Sequence, residues 1–327
     1  MVGILVVGTG SMGWNHARVC SSLDSLVGVC DQSEEASAAA GHEFAVPSFT
    51  SLDSAIRECS PDALIIATPT TTHLEVLKTA AGSNLHSLIE KPIANDIREA
   101  KEISKVLEGR ELICSVGHIE RYNPVIKKAK EIITGREFGE VITTSSRRVS
   151  NFPGRIRDVG VILDLGIHDI DNSIYLMGSK PVSVYCVGGT NNEIDFEDHV
   201  TIIIHFENGR SSIIEVNWIT PMKVRKISMT FDEAFMDIDY MNQDIKISSS
   251  NFVELNKPSK FQPQIQFETK NIPVERREPL LLEIEDFISS IEEGKPTMVP
   301  VNDGILALRV AEAAKESLNK GEVIHIA

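Results

Sequence analysis

The chain has 327 residues, enough for two domains, and its apolar, aromatic and charged fractions are ordinary for a globular protein. A formal net charge of −15 argues against general affinity for nucleic acid or for acidic membrane surfaces. The five cysteines form no CxxC pair, so they indicate neither a zinc site nor a disulfide framework.

The first segment, MVGILVVGTG, has no basic start and no long apolar span. We interpret it as a buried strand rather than a signal peptide, and we expect a cytoplasmic protein. A GxGxxG spacing follows at Gly8, Gly10 and Gly13 and leads into a helical pattern. Such glycines allow a tight turn, close approach of a pyrophosphate and close packing of helix on strand. The pattern predicts a dinucleotide-binding loop at a helix N-terminus.

A second apolar run, LVGVCD, ends in Asp31. An acid at this position can accept hydrogen bonds from both adenosine ribose hydroxyls. Gln32 and Ser33 follow, and no Arg or Lys is near to balance a 2′-phosphate, so the sequence favours NAD over NADP. The alternative is an acidic turn residue after a structural strand.

Strand and helix patterns continue to alternate up to about residue 120, which predicts a Rossmann domain over residues 1–120 with a doubly wound parallel sheet. Ligands bind beyond the carboxyl ends of such strands. His16 and His73 lie early on predicted helices that follow cofactor loops, where a cap or core role is the simplest interpretation. The expected cofactor contacts are Gly8, Thr9, Gly10, Ser11, Met12, Gly13, Asp31, Gln32, Thr68, Pro69, His73, Glu90, Lys91 and His118.

Residues 121–327 are predicted to form a second α/β domain for substrate binding and oligomerisation, with a large, open and mostly antiparallel sheet. In VTIIIHF, residues 200–206, alternate side chains point to opposite faces. One face should meet helices, and the other is expected to join subunits in a homodimer or homotetramer.

The segment VILDLGIHDID places Asp164 and His168 four residues apart, on one face of a predicted helix. The alternative is a polar helix face in solvent.

Upstream, RRVSNFPGRIRD contains Arg147, Arg148, Arg155 and Arg157, a cluster that suits an anionic substrate. Salt bridges to the surplus carboxylates of the chain are an equally good explanation of that cluster.

The segments GTGSMGWNH, ATPTTTH, EKP, GHIERYNP and DLGIHDID, in this order, resemble the GFO/IDH/MocA oxidoreductases over essentially the whole chain. The resemblance implies NAD(P)-dependent oxidation of sugars or related polyols. It also implies a catalytic group, the EKP lysine with the DxxxH pair, which maps to Lys91, Asp164 and His168. GHIERYNP in a chain of this length is similar to members that oxidise the 3-hydroxyl of UDP-N-acetylhexosamines.

In such a reaction His168 would accept the hydroxyl proton and Lys91 would stabilise the charge on the oxygen, while Asp164 would hold a neighbouring hydroxyl or orient the histidine. No metal is expected. An inositol or glucose dehydrogenase, a reductase of another carbonyl or imine, and an NAD-binding regulator remain alternatives. The expected substrate contacts are Lys91, Arg121, Tyr122, Asn123, Arg155, Arg157, Asp164 and His168.

Overall fold

The computed structural model describes residues 2–152, 159–191, 196–253 and 264–326. The chain divides into two compact units, Met1–Tyr122 with Glu278–Arg309, and Asn123–Arg277 with Val310–Ala327. The sequence prediction placed all residues after 120 in the second domain, so the structure differs from it over 278–309. The predicted α/β class, a parallel sheet followed by a mostly antiparallel one, is confirmed.

The first unit is built on parallel strands alternating with helices. The strands are β1 (Ile4–Val7), β2 (Leu26–Cys30), β3 (Ser48–Phe49), β4 (Ala63–Ile66), β5 (His86–Glu90) and β6 (Cys114–Gly117). The helices are α1 (Ser11–Ser22), α2 (Glu34–Phe44), α3 (Leu52–Cys59), α4 (His73–Gly82) and α5 (Ile97–Leu107). The strand order is β3-β2-β1-β4-β5-β6, which reverses beside β1 and so makes a ligand crevice at the carboxyl ends of β1 and β4.

The local sequence explains these elements. All four residues of β1 are buried, as expected of an apolar strand covered on both faces. Ser33, Ser51 and Asp96 each accept a hydrogen bond from a backbone N–H in the first turn of α2, α3 and α5, which fixes where these helices begin.

The second unit holds a larger sheet. Its elements are α6 (Pro124–Gly135), β7 (Val141–Asn151), α7 (Ile167–Met177), β8 (Pro181–Gly189), β9 (His199–Phe206), β10 (Ser211–Asn217), β11 (Ile219–Phe231), β12 (Phe235–Asp239), β13 (Asp244–Val253) and β14 (Gln264–Ile272). With a later strand, β15 (Ile324–His325), the described strands follow the order β14-β13-β12-β11-β7-β10-β9-β8-β15. β7 and β10 run parallel, and the other neighbours run antiparallel.

The two faces of this sheet differ as the alternation in β9 predicts. Val200, Ile202, Ile204 and Phe206 are buried, and α7 packs on the sheet at β7 and β10. Ile203 lies on the other face and is 41 % exposed. Within this unit the sheet is therefore covered by a helix on one face, and its other face carries solvent-exposed apolar side chains.

Two helices lie between β14 and β15, namely α8 (Pro279–Glu293) and α9 (Val301–Lys320). Leu280, Ile284 and Phe287 of α8 belong to the same buried apolar cluster as β1, and α8 also packs on the 3₁₀ turn Ile119–Tyr122. This burial is the reason why residues 278–309 join the first unit. Within the described ranges, no helix is both long enough and apolar enough to cross a membrane.

Candidate functional site

The glycine loop between β1 and α1 has the geometry that the sequence predicts. Gly8 has a φ of +88°, and a Cβ there would lie 2.6 Å from the carbonyl oxygen of Ala67. At Gly13 a Cβ would lie 1.7 Å from the carbonyl oxygen of Gly8, so the helix could not pack on the loop. A Cβ on Gly10 would meet nothing within 4 Å, which leaves open space at the start of α1. That space fits a phosphate facing the first N–H groups of the helix.

Asp31 is anchored at the end of β2. Its Oδ2 accepts hydrogen bonds from the backbone N–H of Thr9 at 2.7 Å and from the Thr9 hydroxyl at 3.1 Å. Its Oδ1 accepts one from the N–H of Ser33 at 2.9 Å. A carboxylate has about four acceptor positions, so Asp31 keeps capacity for the hydroxyls of a ribose. The structure thus brings Asp31 to the glycine loop, and Gln32 follows it in an exposed position.

The loop after β4 is braced by His73. The His73 ring lies 3.0 Å from the carbonyl oxygen of Thr68 through Nε2 and 3.3 Å from that of Ile93 through Nδ1. Burial lowers the pKa of His73, and hydrogen bonds to those two carbonyls oppose the shift. His73 is therefore a buried residue that holds Thr68 and Pro69 in place, in agreement with the expected core role rather than with cofactor contact.

Glu90, at the end of β5, is buried and has two identified partners. Its Oε1 lies 2.7 Å from Nε2 of His16 on α1, and its Oε2 accepts the backbone N–H of Lys91 at 3.1 Å. Burial pushes the pKa of Glu90 up. The hydrogen bond with His16, the charges of His16 and Lys91, and the N–H of Lys91 nevertheless hold it below its ordinary value. The sequence placed Glu90 among the cofactor contacts, but the structure directs its carboxylate inward.

Three expected substrate contacts in GHIERYNP have internal partners instead. Arg121 is 2 % exposed and pairs with Asp303 at 2.5 Å. The hydroxyl of Tyr122 donates to Asp286 at 2.9 Å, and Asn123 caps α6. These contacts favour structural roles over substrate binding. His118 from the same segment is buried at the end of β6.

Asp164 and His168 lie where the second unit departs from regular helix. Residues Ile162–Gly166 form a π-helical turn, and α7 begins directly after it with His168 in its first turn. Both side chains are partly exposed. The sequence predicted an ordinary helix here. The wider turn is a difference that shifts Asp164 relative to that expectation, and such turns are frequent at functional sites.

Two acidic residues support this turn and the start of α7. Glu197 accepts the N–H of Ile162 at 3.2 Å with its side chain and that of Val161 at 2.9 Å with its backbone carbonyl. Asp169, next to His168, pairs with Arg148 of β7 at 2.5 Å, and the two side chains are only 1 % and 2 % exposed. The start of α7 is therefore fixed by contacts to β7 and to the segment before β9.

The first two members of the arginine cluster, Arg147 and Arg148, pair with carboxylates of the chain and so do not support an anion-binding site. Arg147 is exposed and pairs with Glu215 at 2.7 Å, while Arg148 is buried against Asp169. For these two residues the alternative of internal salt bridges is the correct one. Arg155 and Arg157 lie outside the described residues.

A phosphate-accepting glycine loop with an acid at the end of the second strand defines a dinucleotide-binding protein. Models of two domains match the sequence, an oxidoreductase family with an NAD-binding Rossmann fold over residues 2–118 and the GFO/IDH/MocA C-terminal domain over residues 126–235. The chain belongs to the GFO/IDH/MocA oxidoreductase family. The predictions of an oxidoreductase and of NAD as its cofactor are confirmed at this level.

Proteins of known activity are similar over nearly the full length. The UDP-N-acetylglucosamine 3-dehydrogenase of Acidithiobacillus ferrooxidans is 29 % identical, with 94 % of each chain covered. Its solved structure superimposes with a TM-score of 0.87 at 27 % identity, covering 98 % of both chains. The inositol 2-dehydrogenase of Rhizobium meliloti is 27 % identical, with 98 % of each chain covered.

Proposed function

We propose that the chain oxidises the 3-hydroxyl of a UDP-N-acetylhexosamine with NAD. The observation that carries this proposal is the full-length similarity to the UDP-N-acetylglucosamine 3-dehydrogenase, in sequence and in structure. The open space at Gly10 and the anchored carboxylate of Asp31 support NAD as the cofactor.

Three side chains are assigned to the reaction. His168, partly exposed in the first turn of α7, takes the proton of the hydroxyl as general base. Lys91, at the carboxyl end of β5, stabilises the negative charge that develops on that oxygen. Asp164 orients a neighbouring hydroxyl of the sugar. When bound, NAD supplies an acceptor for the hydride that leaves the carbon.

A free polyol is the second candidate substrate, because the inositol 2-dehydrogenase has nearly the same identity and full coverage. A panel assay separates the two candidates. The purified chain is mixed with NAD and, in turn, with UDP-N-acetylglucosamine, UDP-N-acetylgalactosamine, free N-acetylglucosamine and myo-inositol, and NADH formation is followed by absorbance. We expect NADH only with a UDP-sugar. Turnover of inositol but not of the UDP-sugars would contradict the UDP-sugar proposal and identify a free polyol as the substrate.

We further propose that copies of the chain associate through the open face of the second sheet. Ile203 of β9 lies directly opposite Ile213 of β10 and Tyr185 of β8, and both isoleucines are about two-fifths exposed. An apolar row of this kind is typical of a subunit interface. Light scattering should give a mass above that of one chain for the wild type and a lower mass for Ile203→Lys. A single-chain mass for the wild type would contradict the proposal.

A further inference from the structure

We propose that His16 is a positioning residue for Lys91 and acts through the buried carboxylate of Glu90. This inference rests on the proposed role of Lys91 in the reaction. It adds a residue of α1 to the machinery that sets the rate, although His16 itself touches neither substrate nor cofactor.

The geometry supports a chain of contacts across three elements. His16 is fully buried on α1, and its Nε2 lies 2.7 Å from Oε1 of Glu90 at the end of β5. The other oxygen of Glu90 accepts the backbone N–H of Lys91 at 3.1 Å. From the third side, the carboxylate packs on Gly117 of β6, where a Cβ would lie 3.1 Å from it. The carboxylate is therefore held in one place.

The two hydrogen bonds of Glu90 fix the peptide group from which the Lys91 side chain departs. A lysine side chain has a long flexible stem, so the position of its ammonium group depends on the direction in which the backbone releases it. Misplacement by about 1 Å can reduce a rate by roughly 10²-fold. Without His16, Glu90 would be a buried carboxylate with one oxygen unsatisfied, and it would reorient at the expense of its bond to Lys91.

The contact also links two elements that lead to the candidate site. α1 begins at the glycine loop, whereas β5 ends at Glu90, directly before Lys91. The imidazole–carboxylate contact connects these two elements. We expect its loss to lower kcat with little change in NAD affinity, since the phosphate-facing N–H groups at the start of α1 remain in place.

The test compares His16→Leu with His16→Gln. Leucine fills the space without a donor, while the amide nitrogen of glutamine can replace Nε2 as a donor to Glu90. His16→Leu should lower kcat roughly 10- to 100-fold, with both KM values and the Kd of NAD within about threefold of the wild type. His16→Gln should restore most of the loss. Equal rates for wild type and His16→Leu, or equal losses in both variants, would overturn the proposal.

A control comes from the other end of the same strand. His86 begins β5, and its Nδ1 accepts the N–H of Ile113 at 2.9 Å, so it is also a histidine with one internal partner. His86→Leu should leave kcat within about twofold, because distant sites act independently. A loss as large as that of His16→Leu would show that any damage to β5 lowers the rate, and would overturn the specific role of His16.

A second readout needs no substrate. Hydrogen exchange followed by mass spectrometry reports the Lys91 amide, which is bonded to Glu90, while Pro92 contributes no amide. Exchange in this segment should accelerate in His16→Leu and stay unchanged in His86→Leu. Unchanged exchange in His16→Leu would overturn the link even if no active sugar is found. Normal turnover by Lys91→Ala would instead contradict the proposed role of Lys91 in the reaction. His16 would then have no catalytic lysine to position.

If His16→Leu does not fold, Glu90→Met decides the question. Methionine is close to glutamate in length but has no carboxylate, so neither His16 nor the N–H of Lys91 keeps its partner. Glu90→Met should show the same drop in kcat and the same faster exchange of the Lys91 amide. Wild-type values for both measurements would overturn the proposal.

Discussion

Glu283 on α8 should make the first unit less stable as pH rises, and Glu283→Gln should remove that effect. The side chain is 0 % exposed, and neither carboxylate oxygen has a hydrogen-bond partner among the described residues. Burial, followed by the charges of Glu90 and Asp286, raises the pKa of Glu283 well above its ordinary value. The folded state therefore keeps a proton that the unfolded state releases.

The sign and size follow from linkage. Because the folded pKa is the higher one, the stabilising effect of the proton is complete below the unfolded value of about 4.5 and is lost as pH rises towards the folded value. Within that window the free energy of unfolding falls by about 1.4 kcal/mol per pH unit for this group. Glutamine imitates the neutral acid in shape and does not titrate. The variant should match the wild type below about pH 4.5 and gain about 1.4 kcal/mol over it for each pH unit above that value, up to the folded pKa of Glu283.

The assay is urea unfolding at several pH values, with a probe that reports the first unit alone. Trp14 lies on α1 in this unit and contacts Phe44, so a Trp218→Phe background confines the fluorescence to Trp14. Glu292→Gln, an exposed change of the same charge on α8, is the control and should differ from the wild type by a nearly constant amount. A constant difference for Glu283→Gln as well would refute the reasoning, because it would mean that Glu283 binds the same protons folded and unfolded.

Other substitutions test the two parts of the candidate site. Asp31→Ala should weaken NAD binding in calorimetry roughly 10- to 100-fold, because it removes about 1.5–3 kcal/mol of charge-assisted hydrogen bonding. A wild-type chain that prefers NADP would contradict this. Arg148→Met removes the paired guanidinium from the buried Asp169 and should lower the free energy of urea unfolding by about 3–5 kcal/mol. A loss under about 1 kcal/mol would be inconsistent with a buried pair. His168→Asn should retain the fold and NAD binding but lower turnover roughly 10²–10⁴-fold. Near-normal turnover would exclude His168 as the base.

The features that sequence predicts well are those written in local patterns. Alternating strands and helices, the spacing of Gly8, Gly10 and Gly13, and the acid at Asp31 each depend on a few consecutive residues. The alternation of β9 predicts its two faces for the same reason. These features depend on local backbone geometry and on periodic burial, so they can be predicted without knowing which residues far along the chain are in contact.

The features that sequence missed depend on partners far along the chain. Glu197 supports the turn at Ile162 across 35 positions, and nothing in the local pattern announces either the contact or the π-helical turn. In the sequence Arg148 is one of a cluster of four arginines, and the pattern does not distinguish it from the others, because its burial depends on Asp169 of another element. The sequence shows that α8 has an apolar face, but it does not show that this face packs on the first unit.

A similar arrangement adjoins two of the three proposed catalytic residues, each within its own unit. A buried carboxylate with a nitrogen partner is the neighbour in sequence, Glu90 with His16 beside Lys91, and Asp169 with Arg148 beside His168. Matched apolar residues could stabilise such positions as well or better, because burying charges carries a desolvation penalty. An apolar pair, however, offers no directional bond to the neighbouring backbone, and Glu90 provides one to the N–H of Lys91. The orientation of Lys91, the proposed catalytic lysine, rather than the free energy of unfolding, is therefore what the buried carboxylate of Glu90 is suited to maintain.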